Sequence, residues 1–332
     1  MERGFCTLAS GVKPWSIGRV MRKPFPFLSP VTAEAPRHLL EQARGLPTPR
    51  VALVNAGSEN AMQGIREAAD AGLAHPVLIG DAAKIRQVAE QIGWDISDLR
   101  LIHAPMAAAS AKAAELARLG EVDAIMKGQV HTSVFLQGLL PRAAGLRDAH
   151  TRCGHVFHIT APHSDRPLLL TDGALNVDPD IPTRQACLGH AVRLAQQLGI
   201  ERPKAGILSA NEDPLPSLQN SMDAAVIAAW AKTALPQAEV AGPMALDLIF
   251  SAEAAAAKNY VSPVAGDADI ILTPNITTGN AIFKLMSLGM GCCAAGLVLG
   301  LRVPVLLTSR AQGAPARIGS GALGVVAAGV RL

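Results

Sequence analysis

From Arg50 onward short apolar runs alternate with alanine-rich stretches of helical spacing, and few folds accept that alternation. Val51–Val54, Pro76–Ile79, Leu101–His103 and Ala124–Met126 have the length and character of buried strands. Between them, Ser58–Gly72, Asp81–Ile92 and Ala107–Gly120 predict helices, the first two capped by Ser58 and Asp81. The β-α-β-α order predicts an α/β fold, a mostly parallel sheet covered by helices. Aromatics are only 3% of the chain, so the core must be built from Ala, Val, Leu and Ile. That composition suits helices on a parallel sheet. A chain of 332 residues has the length for about two domains and needs no disulfide or metal to hold its core.

The rhythm breaks near Arg142–His163 and then resumes. Strands are predicted at His155–Ile159, Leu168–Leu170, Ala205–Ser209, Asp269–Thr273 and Val303–Thr308. Helices are predicted at Thr183–Leu198, Ser217–Ala234, Thr278–Leu288, Gly291–Leu299 and Ala314–Ala328. Leu285–Leu301 is uncharged over 17 residues, short of the roughly 20 that span a bilayer, and reads as a buried helical stretch. Residues 1–45 contain Pro14, Pro24, Pro26, Pro30 and Pro36 without sustained period, which predicts an N-terminal extension, a poorly ordered or surface-draped arm. The expected organisation is that extension, a first α/β domain over 46–150 plus 303–332, and a second over 151–302.

Hydrophobic residues are 49% and charged residues 17%, which excludes disorder as the dominant state. The net charge of +3 is carried by the arm: residues 1–50 hold eight basic residues against Glu2, Glu34 and Glu41, and the remainder is slightly acidic. Nucleic-acid binding by bulk charge or by aromatic stacking is therefore not expected. Cys6, Cys153, Cys187, Cys292 and Cys293 are odd in number and lack C-x-x-C spacing, so neither a disulfide framework nor a zinc site is expected. A reducing, cytoplasmic compartment follows. No apolar signal segment is read at the N-terminus.

Among chemical signatures, the P-loop, H-E-x-x-H and G-x-S-x-G patterns are all missing from the sequence. Gly289–Ala294 matches G-x-G-x-x-A but follows a helical stretch, so it reads as close packing through small residues and not as a dinucleotide fingerprint. His131, His150, His155, His158 and His163 fall close together. His155 and His158 differ by three positions and face opposite sides of a strand, so no metal site is expected. Four polar islands follow predicted strands: Lys127–Thr132, Thr171–Asn176, Pro274–Asn280 and Thr308–Arg310. Three of them open a predicted helix, where backbone N–H groups attract phosphate. Ser309 with Arg310 adds a hydroxyl donor and a fixed cation suited to phosphate or a developing oxyanion.

Met126–Thr132 (MKGQVHT), Thr171–Asn176 (TDGALN), Gly266–Lys284 (GDADIILTPNITTGNAIFK) and Val303–Arg310 (VPVLLTSR) together resemble the phosphate acetyl/butyryltransferase family, over residues 48 to 330. The resemblance implies two α/β domains with mostly parallel sheets around an interdomain cleft, related in architecture to isocitrate-dehydrogenase-like proteins. It implies transfer of a short acyl group between coenzyme A and phosphate, with acyl-CoA, phosphate and acyl phosphate as partners. Coenzyme A enters as substrate, no cofactor or metal is implied, and a homodimer is. Ser309 and Arg310 would hold phosphate and the reacting carbonyl, with Asp172 beside them as catalytic group. Lys127, His131, Thr132, Asn176, Asn275, Gly279, Asn280 and Gln312 would line the substrate site. Two positions depart from the family pattern: Gln312 and Asn275 stand where the family commonly has Asp. A neutral amide cannot accept the thiol proton, which leaves Asp172 and His131 as candidate bases. The rival readings are a phosphate butyryltransferase, a weakly active or non-catalytic relative that binds coenzyme A or acyl phosphate, and an NAD-linked dehydrogenase of related fold.

Overall fold

The computed structural model describes residues 25–31, 33–148, 150–307 and 313–329. Within it, β1 (Arg50–Val54), β2 (His75–Gly80), β3 (Arg100–His103) and β4 (Ala124–Lys127) form where the apolar runs lie. They pair in parallel in the order β3-β2-β1-β4. α2 (Glu59–Asp70), α3 (Ala82–Gln91) and α4 (Met106–Arg118) connect them, after a short α1 (Arg37–Arg44). Ser58 caps α2 by accepting from the Ala61 N–H, and Asp81 caps α3 by accepting from Ala83 and Lys84. These two caps stop the preceding loops at the expected places.

The second half adds α5 (Thr132–Gln137), β5 (Gly154–Thr160), β6 (Pro167–Thr171), α6 (Ile181–Gln197), β7 (Lys204–Leu208), α7 (Gln219–Ala234), β8 (Glu239–Met244), α8 (Leu246–Phe250), α9 (Ala252–Ala257) and β9 (Ile270–Leu272). The described chain closes with α10 (Ile276–Lys284), a π-helical turn at Leu285–Gly289, β10 (Cys293–Leu299), β11 (Val305–Leu306) and α11 (Ala314–Gly329). All eleven strands of the described residues belong to one sheet, ordered β3-β2-β1-β4-β11-β10-β5-β6-β9-β7-β8. Neighbouring strands are parallel except around β5 and β10, which run antiparallel to each other and to β6 and β11. This central pair joins two parallel blocks, as an α/β fold with a mostly parallel sheet requires.

Three expectations are corrected. Gly291–Leu299 is a helix in the sequence reading, whereas Cys293–Leu299 is the strand β10, paired over seven residues with β5 and flanked by β11 on its other edge. A run of apolar residues buried on both faces carries no period that separates strand from helix, and the two waiting edges decide it. Gly296 shows why a strand fits here: a Cβ at that position would lie 2.8 Å from His155 Nε2 and 3.0 Å from the Leu307 carbonyl. The described part of the arm is also not merely draped on the surface. α1 buries Leu39 and Ala43 against the core, Leu39 to 2% exposure, and packs on α11. Finally, β8 forms an edge strand where no strand was expected, because β7 offers it a parallel edge.

Candidate active site

Asp172 organises the strand ends in the middle of the sheet. It follows β6, is 3% exposed, and accepts five hydrogen bonds. Oδ1 takes the Ala174 and Leu175 N–H groups, both at 2.9 Å. Oδ2 takes His155 N at 3.1 Å, Asn176 N at 3.3 Å and Asn176 Nδ2 at 2.7 Å. A carboxylate offers about four lone-pair positions, so these donors saturate it and bend residues 172–176 into a closed loop. Asn176 Nδ2 also donates to the Cys153 carbonyl at 2.9 Å, tying that loop to the start of β5.

The loop after β9 is fastened onto this knot. Thr273 Oγ1 donates to the Asp172 carbonyl at 2.8 Å, and Asn280 Nδ2 donates to the Gly173 carbonyl at 3.2 Å. Gly279 permits the approach: a Cβ there would lie 2.6 Å from the Asp172 carbonyl oxygen and 2.7 Å from Gly173 Cα. No side chain fits at such distances. Asn275 is the N-cap of α10, its Oδ1 accepting from the N–H and hydroxyl of Thr278, both at 3.0 Å. Phe283 anchors the helix by stacking on Phe157 at 4.0 Å between ring centroids, inclined by 5°. Asn176, Asn275, Gly279 and Asn280 are therefore brought together with Asp172, and all but Gly279 already use side-chain polar atoms to hold the two loops.

The Lys127–Thr132 island forms the other wall. Gly128 N donates to the Val54 carbonyl and Gln129 N to that of Asn55, so the loop after β4 lies on the loop after β1. Lys127 Nζ donates to the Val130 carbonyl at 3.1 Å. His131 and Thr132 are exposed at the start of α5. Val130, Leu307 and the flank of Leu175 share one apolar cluster, which sets this wall beside the Asp172 loop over a common floor. Ser309, Arg310 and Gln312 lie outside the described residues. Leu307, the last described residue before them, has its N–H on the Gly296 carbonyl at 3.0 Å.

Two residues in this floor were not among the expected site residues. His155 is fully buried and, among the described residues, neither ring nitrogen has a hydrogen-bond partner. Burial pushes its pKa down to about 4 although Asp172 pulls the other way, so the ring is neutral at pH 7. The alternation of β5 already carried the signal, placing His155 with Phe157 on one face and His158 on the other. Thr273 is the second, invisible in sequence because its hydroxyl partner lies 101 residues away. The described residues contain no group of three or more His, Cys, Asp or Glu able to hold a metal, and no helix long and apolar enough to cross a membrane.

Polar loops fastened together at the carboxyl ends of neighbouring strands are where α/β enzymes hold their substrates, and the class defined here is a transferase enzyme. Residues 98–324 match the family described as Phosphate acetyl/butaryl transferase, and the chain belongs to that family of phosphate acyltransferases. It is 36% identical to the phosphate butyryltransferase of Clostridium acetobutylicum over 282 residues, covering 84% of this chain and 93% of that protein. It is 35% identical over 275 residues to the phosphate acetyltransferase of Rhizobium meliloti, covering 82% and 87%. Among solved structures, a branched-chain phosphotransacylase from Enterococcus faecalis V583 superposes with a TM-score of 0.72 at 26% identity, over 84% of this chain and 99% of that one.

Proposed function

We propose that the chain transfers a short acyl group reversibly between coenzyme A and phosphate at the strand ends around Asp172. The observation that carries the reading is the knot of Asp172 with Asn176, Thr273 and Asn280, which fastens two of the four polar islands together. Lys127, His131 and Thr132 are assigned to the opposite wall, facing phosphate or the coenzyme. Ser309 and Arg310, two and three residues beyond Leu307 in sequence, are assigned to the reacting centre. In the direction that forms acyl-CoA, the thiolate attacks the carbonyl of acyl phosphate and phosphate leaves. A guanidinium and a hydroxyl stabilise the negative charge that develops on oxygen. Asp172 is assigned to positioning, since its oxygens are saturated by N–H donors.

Release of free thiol from acetyl-, propionyl- or butyryl-CoA is expected to require phosphate or arsenate. Equal turnover without either anion would identify a thioesterase and overturn the reading. The ranking of the three thioesters reports the acyl length.

With Asp172 saturated and Gln312 an amide, thiol attack is left to draw on thiolate already present. The rate in that direction is expected to rise with pH through about 8–9, the range of a free thiol. Gln312→Asp is expected to raise the rate near neutrality, by up to about 100-fold. A pH–rate profile of both proteins checks this. A bell-shaped wild-type profile near neutrality with no gain in the variant would assign the base to another group, His131 first. Gln312 and Asn275 also favour a second reading, a binding relative with little activity; inactivity at every pH with retained coenzyme A binding would establish it.

Self-association is part of the proposal. Phe25, Phe27, Leu28 and Val31 are exposed beside Leu285, Leu288 and Met290, and Ser29 N donates to the Leu288 carbonyl at 2.9 Å. A continuous exposed apolar patch of this kind is what a second copy would cover in a homodimer. A cytoplasmic location is supported by Cys153, Cys187, Cys292 and Cys293, all free and buried.

A further inference from the structure

A second cavity lies at the opposite end of β4 and β11 from the acyl-transfer site. Val122 and Asp123, which precede β4, and Gly300–Pro304, which precede β11, line a space of about 700 Å³ closed by α6 and the end of α11. The catalytic loops follow the same two strands, so a ligand here touches none of them. Pockets of this size hold small-molecule ligands.

Its walls are rich in guanidinium groups. Arg118, Arg147, Arg193 and Arg302 come from four separate segments, and none forms a salt bridge among the described residues, although Arg118 acts on Glu115 at longer range. Two acids share the lining, Asp123 and Asp148. Asp123 is already matched by Arg50, which reaches both of its oxygens at 2.9 Å. Arg147 Nε is buried without a hydrogen-bond partner among the described residues, although Nη1 donates to the Thr151 carbonyl at 3.3 Å.

Arg193 is held in a fixed orientation. His190 Nε2–H donates to the Arg152 carbonyl at 2.8 Å, which leaves Nδ1 to accept from Arg193 Nη2 at 2.6 Å. Arg193 is exposed at the cavity surface, and partial desolvation pushes its pKa below its ordinary value. The buried Arg147 Nε–H is costly unless an acceptor arrives, while the exposed guanidinium groups around it remain available to an anion. A phosphate group supplies three acceptor oxygens in the fork geometry that arginine prefers.

We infer that this cavity, framed by Arg118, Arg147, Arg193 and Arg302, is a second anion site that binds a small molecule carrying two or more phosphates. The lining holds no Phe, Tyr or Trp for a base to stack on, and the one ring there, His190, is committed to Arg152 and Arg193, so the phosphates carry the recognition. Inorganic pyrophosphate and a nucleoside triphosphate share that chemistry, and the test separates them.

Isothermal titration of the full chain with pyrophosphate, with ATP and with citrate is the experiment, repeated on Arg118→Gln/Arg302→Gln and on Arg193→Gln. Arg118 and Arg302 are exposed, so their double variant is expected to fold and to keep its turnover and its KM for coenzyme A. Pyrophosphate or ATP is expected to bind the wild type and to weaken at least about tenfold in both variants. Affinity for pyrophosphate alone assigns the site to the free anion, and tighter binding of ATP assigns it to nucleotides. Unchanged affinity in variants that retain turnover would overturn the inference. So would citrate binding as tightly as either phosphate compound, or displacement of the ligand by coenzyme A at a concentration equal to its KM.

Discussion

Asp172→Asn is expected to lose about 3–5 kcal/mol of folding stability, and at least about 100-fold in turnover at temperatures where it stays folded. The carboxylate accepts five N–H bonds in a site 3% exposed. An amide keeps the size but offers one accepting oxygen, and turns its own NH2 toward N–H groups it cannot bond. At least two donors are then left buried and unpaired. The loop carries the Asp172 and Gly173 carbonyls that receive Thr273 and Asn280, so α10 loosens with it. Urea unfolding at pH 7 and single-point turnover measure the two effects. Wild-type stability in Asp172→Asn would show that water or a rearranged loop satisfies these donors. Lost turnover with intact stability would instead return Asp172 to the chemistry.

Acid is expected to destabilise the protein between pH 6.5 and 4, by about 3 kcal/mol for each of two histidines. Burial pushes both His155 and His158 down to about 4. Asp172 opposes the shift at His155, and His38 adds to it at His158. An unfolded histidine takes up a proton near pH 6.5, whereas these two remain neutral until about pH 4. In that window the unfolded chain binds more protons, so falling pH favours unfolding. Their stability contribution is fully present above pH 6.5, and its loss is complete once the pH has passed below 4. Unfolding free energies at pH 7, 5.5 and 4.5 for the wild type and for His155→Gln/His158→Gln provide the check. The double variant is expected to be less pH-dependent across this range. Parallel pH dependences would show that other groups set the acid response.

Local patterns placed much of this molecule. Val51–Val54 and Pro76–Ile79 became β1 and β2 because a short apolar run bounded by polar residues has few other places to go. Ser58 and Asp81 capped their helices because a side-chain oxygen meeting free N–H groups is an interaction within three residues. Asn275 shows the limit of such reasoning. Its position beside the site was legible, but its side chain is spent on Thr278 as a helix cap.

By itself, then, the sequence determined the α/β alternation, the starts of α2 and α3, and the strand-end islands that mark the family, because each depends on neighbours a few residues apart. Tertiary structure alone decided that Cys293–Leu299 is a strand, since its hydrogen-bonding edges belong to β5 and β11. It alone turned Asp172 from a candidate base into the knot of a loop, through a donor at His155 that lies 17 residues upstream. Four arginines between positions 118 and 302 meet around one cavity for the same reason. Burial and hydrogen-bond satisfaction are settled by what the finished sheet brings together, and no short window of sequence contains both partners.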